Sequence, residues 1–88
     1  MTTIEKKILP EYFDAIASGK KKYELRLADF DCVEGDVLKL REWNPESKAY
    51  TGREILKTIT YVRRFDVNNL YWPLEEIQEK GLYVLSVE

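Results

Sequence analysis

Only one stretch of this chain carries sustained helical periodicity, and the residues that bracket it keep it to two turns. Pro10 suits a first helical turn and disfavours helix just before it. The run Glu11 to Ser18 then places Tyr12, Phe13, Ile16 and Ala17 on one face, with acids early, and Gly19 stands where a left-handed C-terminal cap belongs. One short helix cannot cover both sides of a parallel sheet, so most of the core has to come from strands.

The remaining segments read accordingly. Ile4 to Leu9 is a short strand that ends at Pro10. After Gly19 the chain alternates, with Tyr23, Leu25 and Leu27 pointing one way and Lys22, Glu24 and Arg26 the other, the pattern of a half-buried strand. Asp29 to Asp36 is a polar connection closed by the turn signal Glu34-Gly35-Asp36, and Val37 to Trp43 is the next strand. Asn44 to Lys48 is a turn. Ala49 to Arg64 is rich in β-branched and aromatic residues, with Gly52 as a bulge or bend, so Trp43 and Tyr50 should flank a hairpin. Asp66 to Tyr71 is a loop, Pro73 to Lys80 a short helical turn closed by Gly81, and Leu82 to Val87 a final strand. The expected fold class is α+β: a small mixed β-barrel of five or six strands, with one main helix at about residues 10–18 and a helical turn at about 73–80, the helix covering one open end.

A chain of 88 residues has room for one core, so residues 1–88 should form a single domain. With 44% apolar and 34% charged residues it has the composition of a folded protein. The longest apolar run, Leu82 to Leu85, is too short to span a bilayer, Met1 to Glu5 lack a signal peptide's apolar stretch, and Cys32 is alone. A soluble, cytoplasmic monomer without membrane contact is expected. The absence of histidine removes Ser-His and Cys-His nucleophile pairs and the commonest transition-metal ligand. No cofactor and no metal site are expected, and any proton transfer falls to Lys, Glu, Asp, Tyr or Thr. A formal net charge of −2 and a pI near 5.3 argue against broad affinity for duplex nucleic acid, yet leave room for a compact basic patch.

The segment Gly19-Lys20-Lys21-Lys22-Tyr23-Glu24-Leu25-Arg26 follows a helix and opens a strand, and in that setting it resembles the G-x-K-x-x-E-x-R signature of the ASCH domain family, a group of PUA-like β-barrels. Gly19, Lys21, Glu24 and Arg26 match it, and Leu9-Pro10-Glu11-Tyr12-Phe13 is similar to the family's entry to the preceding helix. Val33 to Leu38, Arg41-Glu42-Trp43 and Tyr50-Thr51-Gly52-Arg53 look like a small stand-alone subgroup of unassigned function. The resemblance implies a PUA-like barrel with a ligand cleft beside the signature strand and recognition of RNA or a nucleotide. Some small relatives look like metal-independent amidohydrolases acting on N4-acylated cytidines through the signature Lys, a Thr where this chain has Glu24, and a Glu near the C-terminal helical turn, which here would be Glu75 or Glu76.

Two readings of these residues follow. In the first, the partner is single-stranded RNA or a modified nucleotide or nucleoside. Lys21 and Arg26 then contact phosphate, Glu24 takes a base edge, Lys20 and Lys22 supply charge, and Arg41, Trp43, Tyr50 and Arg53 mix cations with stacking surfaces. In the second, the chain is an enzyme with Lys21 as base or nucleophile and Glu24, Glu75 or Glu76 as proton carrier. Each also has a plain structural account: Lys20 and Lys22 as a solvated strand entrance, Glu24 with Arg26 as an ion pair, Trp43 and Tyr50 as core, and Arg63-Arg64 as a solvated strand end. Lys21 has the opposite strand parity to Glu24 and reaches it only if the chain bends after Gly19.

Overall fold

The computed structural model describes residues 1–88 as β1 (Thr3–Ile8), α1 (Pro10–Ala17), β2 (Val37–Asn44), β3 (Ala49–Thr58), a single 3-10 turn (Val67–Asn69) and α2 (Leu74–Lys80). The three strands form one open mixed sheet in the order β1-β2-β3, with β1 parallel to β2 and β3 antiparallel to it. A parallel pair needs a crossover of a dozen or more residues, and the chain from Leu9 to Asp36, which carries α1, supplies it.

β2 is the central strand, and its pleat sorts the sheet into two faces. Leu38, Leu40 and Glu42 are buried on the inner face, while Lys39, Arg41 and Trp43 alternate onto the outer one. Against the inner face α1 lays Phe13 and Ile16, which with Ile8, Leu38 and Leu40 make the core; Ile4, Ile55 and Ile59 pack against it. Leu40, fully excluded from solvent, is its centre. Tyr12, on the same helical face by periodicity, stays half exposed.

Both ends of α1 follow its bracketing residues. Pro10 opens the helix, and Gly19, at φ +82°, turns the chain away while its N–H donates to the Ile16 carbonyl. At the opposite end of the sheet Asp36 fastens β1 to β2. Its carboxylate accepts from the backbone N–H groups of Thr2 at 2.9 Å and Val33 at 3.0 Å, the two bonds that hold it below the usual carboxylate range.

The hairpin between β2 and β3 pairs Trp43 with Tyr50, and their rings meet edge to face at 5.0 Å. Between that pair and Arg41↔Glu54, β3 carries Thr51, Gly52 and Arg53 opposite the single residue Glu42. Gly52, at φ +94°, makes this bulge, and both Thr51 and Arg53 turn towards Glu42.

The expected closed barrel of five or six strands is not what forms. Lys22 to Leu27 and Leu82 to Val87 join no ladder, and β3 ends at Thr58 instead of continuing to Arg64. The half-buried strand expected after Gly19 does not form: Leu25 and Leu27 stand 75% and 78% exposed, and Glu24 and Arg26 are the sheltered side chains, because no sheet edge arrives to cover the apolar face. The outer edge of β1 is approached by the Lys22 to Leu27 segment through a side chain: the Arg26 guanidinium donates from Nη2 to the Lys7 carbonyl at 2.7 Å. Alternation marks the two faces of a segment but does not supply the neighbouring edge that a barrel needs.

Candidate functional site

The segment after Gly19 forms one wall of a cleft of about 690 Å³ that backs onto the core at Ile16 and Leu38 and whose other wall is the stretch from Lys57 to Arg64. Lys21 reaches Glu24 because the chain bends at Gly19 and the Lys21 N–H donates to the Ala15 carbonyl, anchoring it to the end of α1. Lys21 Nζ lies 2.7 Å from Glu24 Oε1, and Arg26 Nε lies 2.8 Å from Glu24 Oε2. Each oxygen of the carboxylate therefore has its own cation. The Lys21 and Glu24 side chains are only 15% and 17% exposed, and the Lys21 ammonium also faces the rings of Tyr23 and Tyr12 at 4.8 and 5.4 Å.

Lys22 lines the same cleft and forms an exposed 3.3 Å pair with Glu88; Lys20 lies in solvent at the end of α1. The other expected contact residues lie elsewhere. Arg41, Trp43 and Tyr50 sit on the outer sheet face, where Lys7 Nζ covers the Trp43 ring at 3.9 Å and the Arg41 guanidinium covers Tyr50 at 3.9 Å. These aromatic faces are already occupied by the chain's own cations. Glu75 and Glu76 are in the exposed first turn of α2 and do not line the cleft.

Arg53 belongs to a second polar centre. Its Nε and Nη2 donate to the two oxygens of Glu42 at 3.0 and 2.6 Å, Nη2 also reaches Asp14 of α1 at 2.7 Å, and the guanidinium lies 4.3 Å from the Phe13 ring centroid. Thr51 Oγ1 donates to Glu42 Oε1 at 2.6 Å. Glu42 is 5% exposed. The Arg53 hydrogen bonds, and then that of Thr51, hold its carboxyl below the usual range, while Glu42 and Asp14 push the Arg53 guanidinium further up. This centre ties helix, strand and hairpin together.

What sequence reasoning missed is the second wall. Lys57, Arg63 and Arg64 line the same cleft as Lys21, Lys22 and Arg26. The cleft thus gathers six cationic side chains and two carboxylates, Glu24 and Asp31, a local excess of four positive charges on a chain of net charge −2. The two clusters are separate in sequence, and only the fold brings them to one opening. Tyr23 and Tyr61, one from each wall, and Phe30 bring aromatic surface to it.

No helix is long and apolar enough to cross a membrane, and no group of three or more Cys, Asp or Glu side chains is placed to hold a metal ion. No curated protein and no solved structure matches the chain. A family model, that of a domain of unknown function designated DUF3850, matches residues 3–75, a span that takes in the whole sheet, α1 and both walls of the cleft, and the chain belongs to that family.

Proposed function

We propose that the protein is a binding module, a cytoplasmic monomer whose cleft takes a short single-stranded RNA segment or a nucleotide. The observation that carries this reading is the concentration of positive charge in one concave, partly apolar opening of an otherwise acidic chain. A cleft lined by one sign of charge focuses its field on the ligand, and aromatic side chains beside cations are the recurrent means of holding unpaired bases. Among the rings that line the cleft, Tyr61, 74% exposed, is the most open to stacking. The resemblance of Gly19, Lys21, Glu24 and Arg26 to the ASCH signature supports the same ligand class on the motif alone, without a barrel. The expected affinity is on the order of micromolar and weakens with salt. Chemical-shift titration with a panel of single-stranded oligonucleotides tests it: movement of amides in Lys20–Leu27 and Lys57–Arg64 supports the reading, and a panel that moves neither wall removes it.

The Lys21–Glu24 contact favours one further reading, a metal-independent amidohydrolase of N4-acylated cytidines in which a lysine and a carboxylate share a proton in a sheltered cleft. With Glu75 and Glu76 outside the cleft, Glu24 is the carboxylate left for that work. Turnover of N4-acetylcytidine to cytidine that Lys21→Ala abolishes would establish it; no turnover above buffer would end it.

A further inference from the structure

The two walls of the cleft carry equal numbers of cations but are not electrostatically equal. On the Gly19–Leu27 wall, Lys21 and Arg26 share the Glu24 carboxylate at 2.7 and 2.8 Å, and Lys22 is paired with Glu88 at 3.3 Å. Arg26 is further committed to the Lys7 carbonyl. On the other wall none of Lys57, Arg63 and Arg64 forms an ion pair, and the Arg63 guanidinium lies 5.7 Å from the Phe65 ring centroid. The uncompensated positive charge of the cleft therefore lies on the stretch that the sequence pattern marks as a plain solvated strand end.

We infer that Lys57, Arg63 and Arg64 form the anion subsite of the cleft, each taking a phosphate of the ligand, and that the Lys21–Glu24–Arg26 cluster contacts an uncharged polar part of it. An anion entering beside Lys21 or Arg26 meets a carboxylate whose two oxygens those cations already satisfy, and it has to displace Glu24 or lie against its charge. An anion entering beside Arg63 and Arg64 meets free guanidinium forks that suit phosphate geometry, and has no internal carboxylate to displace. Glu24, held by both neighbours, keeps a fixed orientation in which its remaining lone pairs can accept from a ligand N–H or O–H. The position of the subsite does not depend on the ligand being nucleic acid. The assignment of the uncharged part to a nucleobase or ribose does rest on that reading.

Two measurements separate the inference from the functional proposal beneath it. Inorganic phosphate titrated into isotopically labelled protein should shift the Lys57 and Val62 to Phe65 amides and the Arg63 and Arg64 side-chain Nε signals most. The inference is overturned if the largest shifts fall in Lys21 to Arg26, or if no signal on the Lys57–Arg64 wall moves. Next, affinity for a fluorescent uridine octanucleotide is followed from roughly 50 to 300 mM KCl; three phosphate contacts give the parent a log–log slope of roughly −2. Arg63→Ala with Arg64→Ala should lower that slope to roughly −0.7 and weaken binding about tenfold or more at the low-salt end. Lys21→Gln should weaken binding while keeping the parent slope. A double variant with the parent slope, or a slope lost in Lys21→Gln, refutes the division between the walls. Arg63 and Arg64 are exposed and outside the sheet, so melting checks that the double variant is folded; were it not, the phosphate titration of the parent decides the matter alone. Phosphate shifts on the Arg63 wall without any oligonucleotide binding would keep the anion subsite and remove the nucleic-acid reading.

Discussion

The carboxylates Glu42 and Glu24 are both held in ion pairs, and their surroundings give the same chemistry opposite uses. Glu42 sits at a β-bulge inside the sheet, 5% exposed, where a two-pronged guanidinium and a hydroxyl satisfy it. Every group in that centre lies on a helix or strand: Asp14 on α1, Glu42 on β2, Thr51 and Arg53 on β3. Glu24 is held by two cations, but on irregular backbone outside the sheet, in a cleft whose other wall adds three cations with no carboxylate of their own. The first centre, two carboxylates on one guanidinium, satisfies its buried carboxylate and joins elements; the second leaves positive charge over. Where the acceptor is buried and its donors are fixed by hydrogen-bonded backbone, an ion pair serves the fold, and where cations outnumber carboxylates on irregular backbone, it offers a surface for a ligand.

The largest effect should come from breaking the structural centre. Glu42→Ala leaves Arg53 without its main partner beside the Phe13 ring and should lower the melting temperature by about 10 °C or more. Arg53→Ala should do comparable damage, and the double variant should be no worse than the more severe single one, as a thermal double-mutant cycle would show. Additive losses would mean that the two side chains do not act together.

Acid should attack the same centre next. Glu42 and Asp36 both titrate below their unfolded values, so the unfolded chain binds more protons in the window beneath those values and stability falls as pH falls through it. Melting temperature should hold from pH 7 to about 5 and then decline below roughly 4, where unfolded carboxylates begin to protonate. The decline should be shallower in Glu42→Gln. An identical acid limb in that variant would place the pH dependence elsewhere.

A smaller effect should follow at the cleft. Arg26→Ala removes bonds to Glu24 and to the Lys7 carbonyl but leaves Lys21 on the carboxylate, so about 1–2 kcal/mol of stability should be lost, with part recovered on adding Glu24→Gln. Binding should weaken without a change in its salt dependence. A loss as large as that of Glu42→Ala would erase the contrast between the two centres.

Much of the scaffold was legible because its signals are local. Pro10 and Gly19 delimit α1, the turn signals at Gly35 and Asn44 bracket β2, and Gly52 marks the bulge that turns Arg53 inwards. The cluster Lys21, Glu24 and Arg26 was legible as a motif, and its convergence depends on the bend at Gly19 that its parity requires. Arg53 was not legible as a structural residue, because its partners Asp14 and Glu42 lie 39 and 11 positions away. Nor was the second wall: Arg63 and Arg64 are an unremarkable pair until β3 carries the chain past the end of α1.

By itself, then, the sequence determined where the chain turns, which face of α1 is apolar and which residues crowd together within a few positions, since these depend on backbone preference and on a fixed repeat along the chain. The tertiary structure alone decided which segments acquire hydrogen-bonding neighbours, leaving Lys22 to Leu27 and Leu82 to Val87 outside an open sheet, and which charges meet across space. The physical reason is that a ladder or an ion pair between distant residues exists only when a particular edge or cation arrives within about 3 Å, and that arrival is set by how the core of Ile8, Phe13, Ile16, Leu38 and Leu40 stacks helix on sheet.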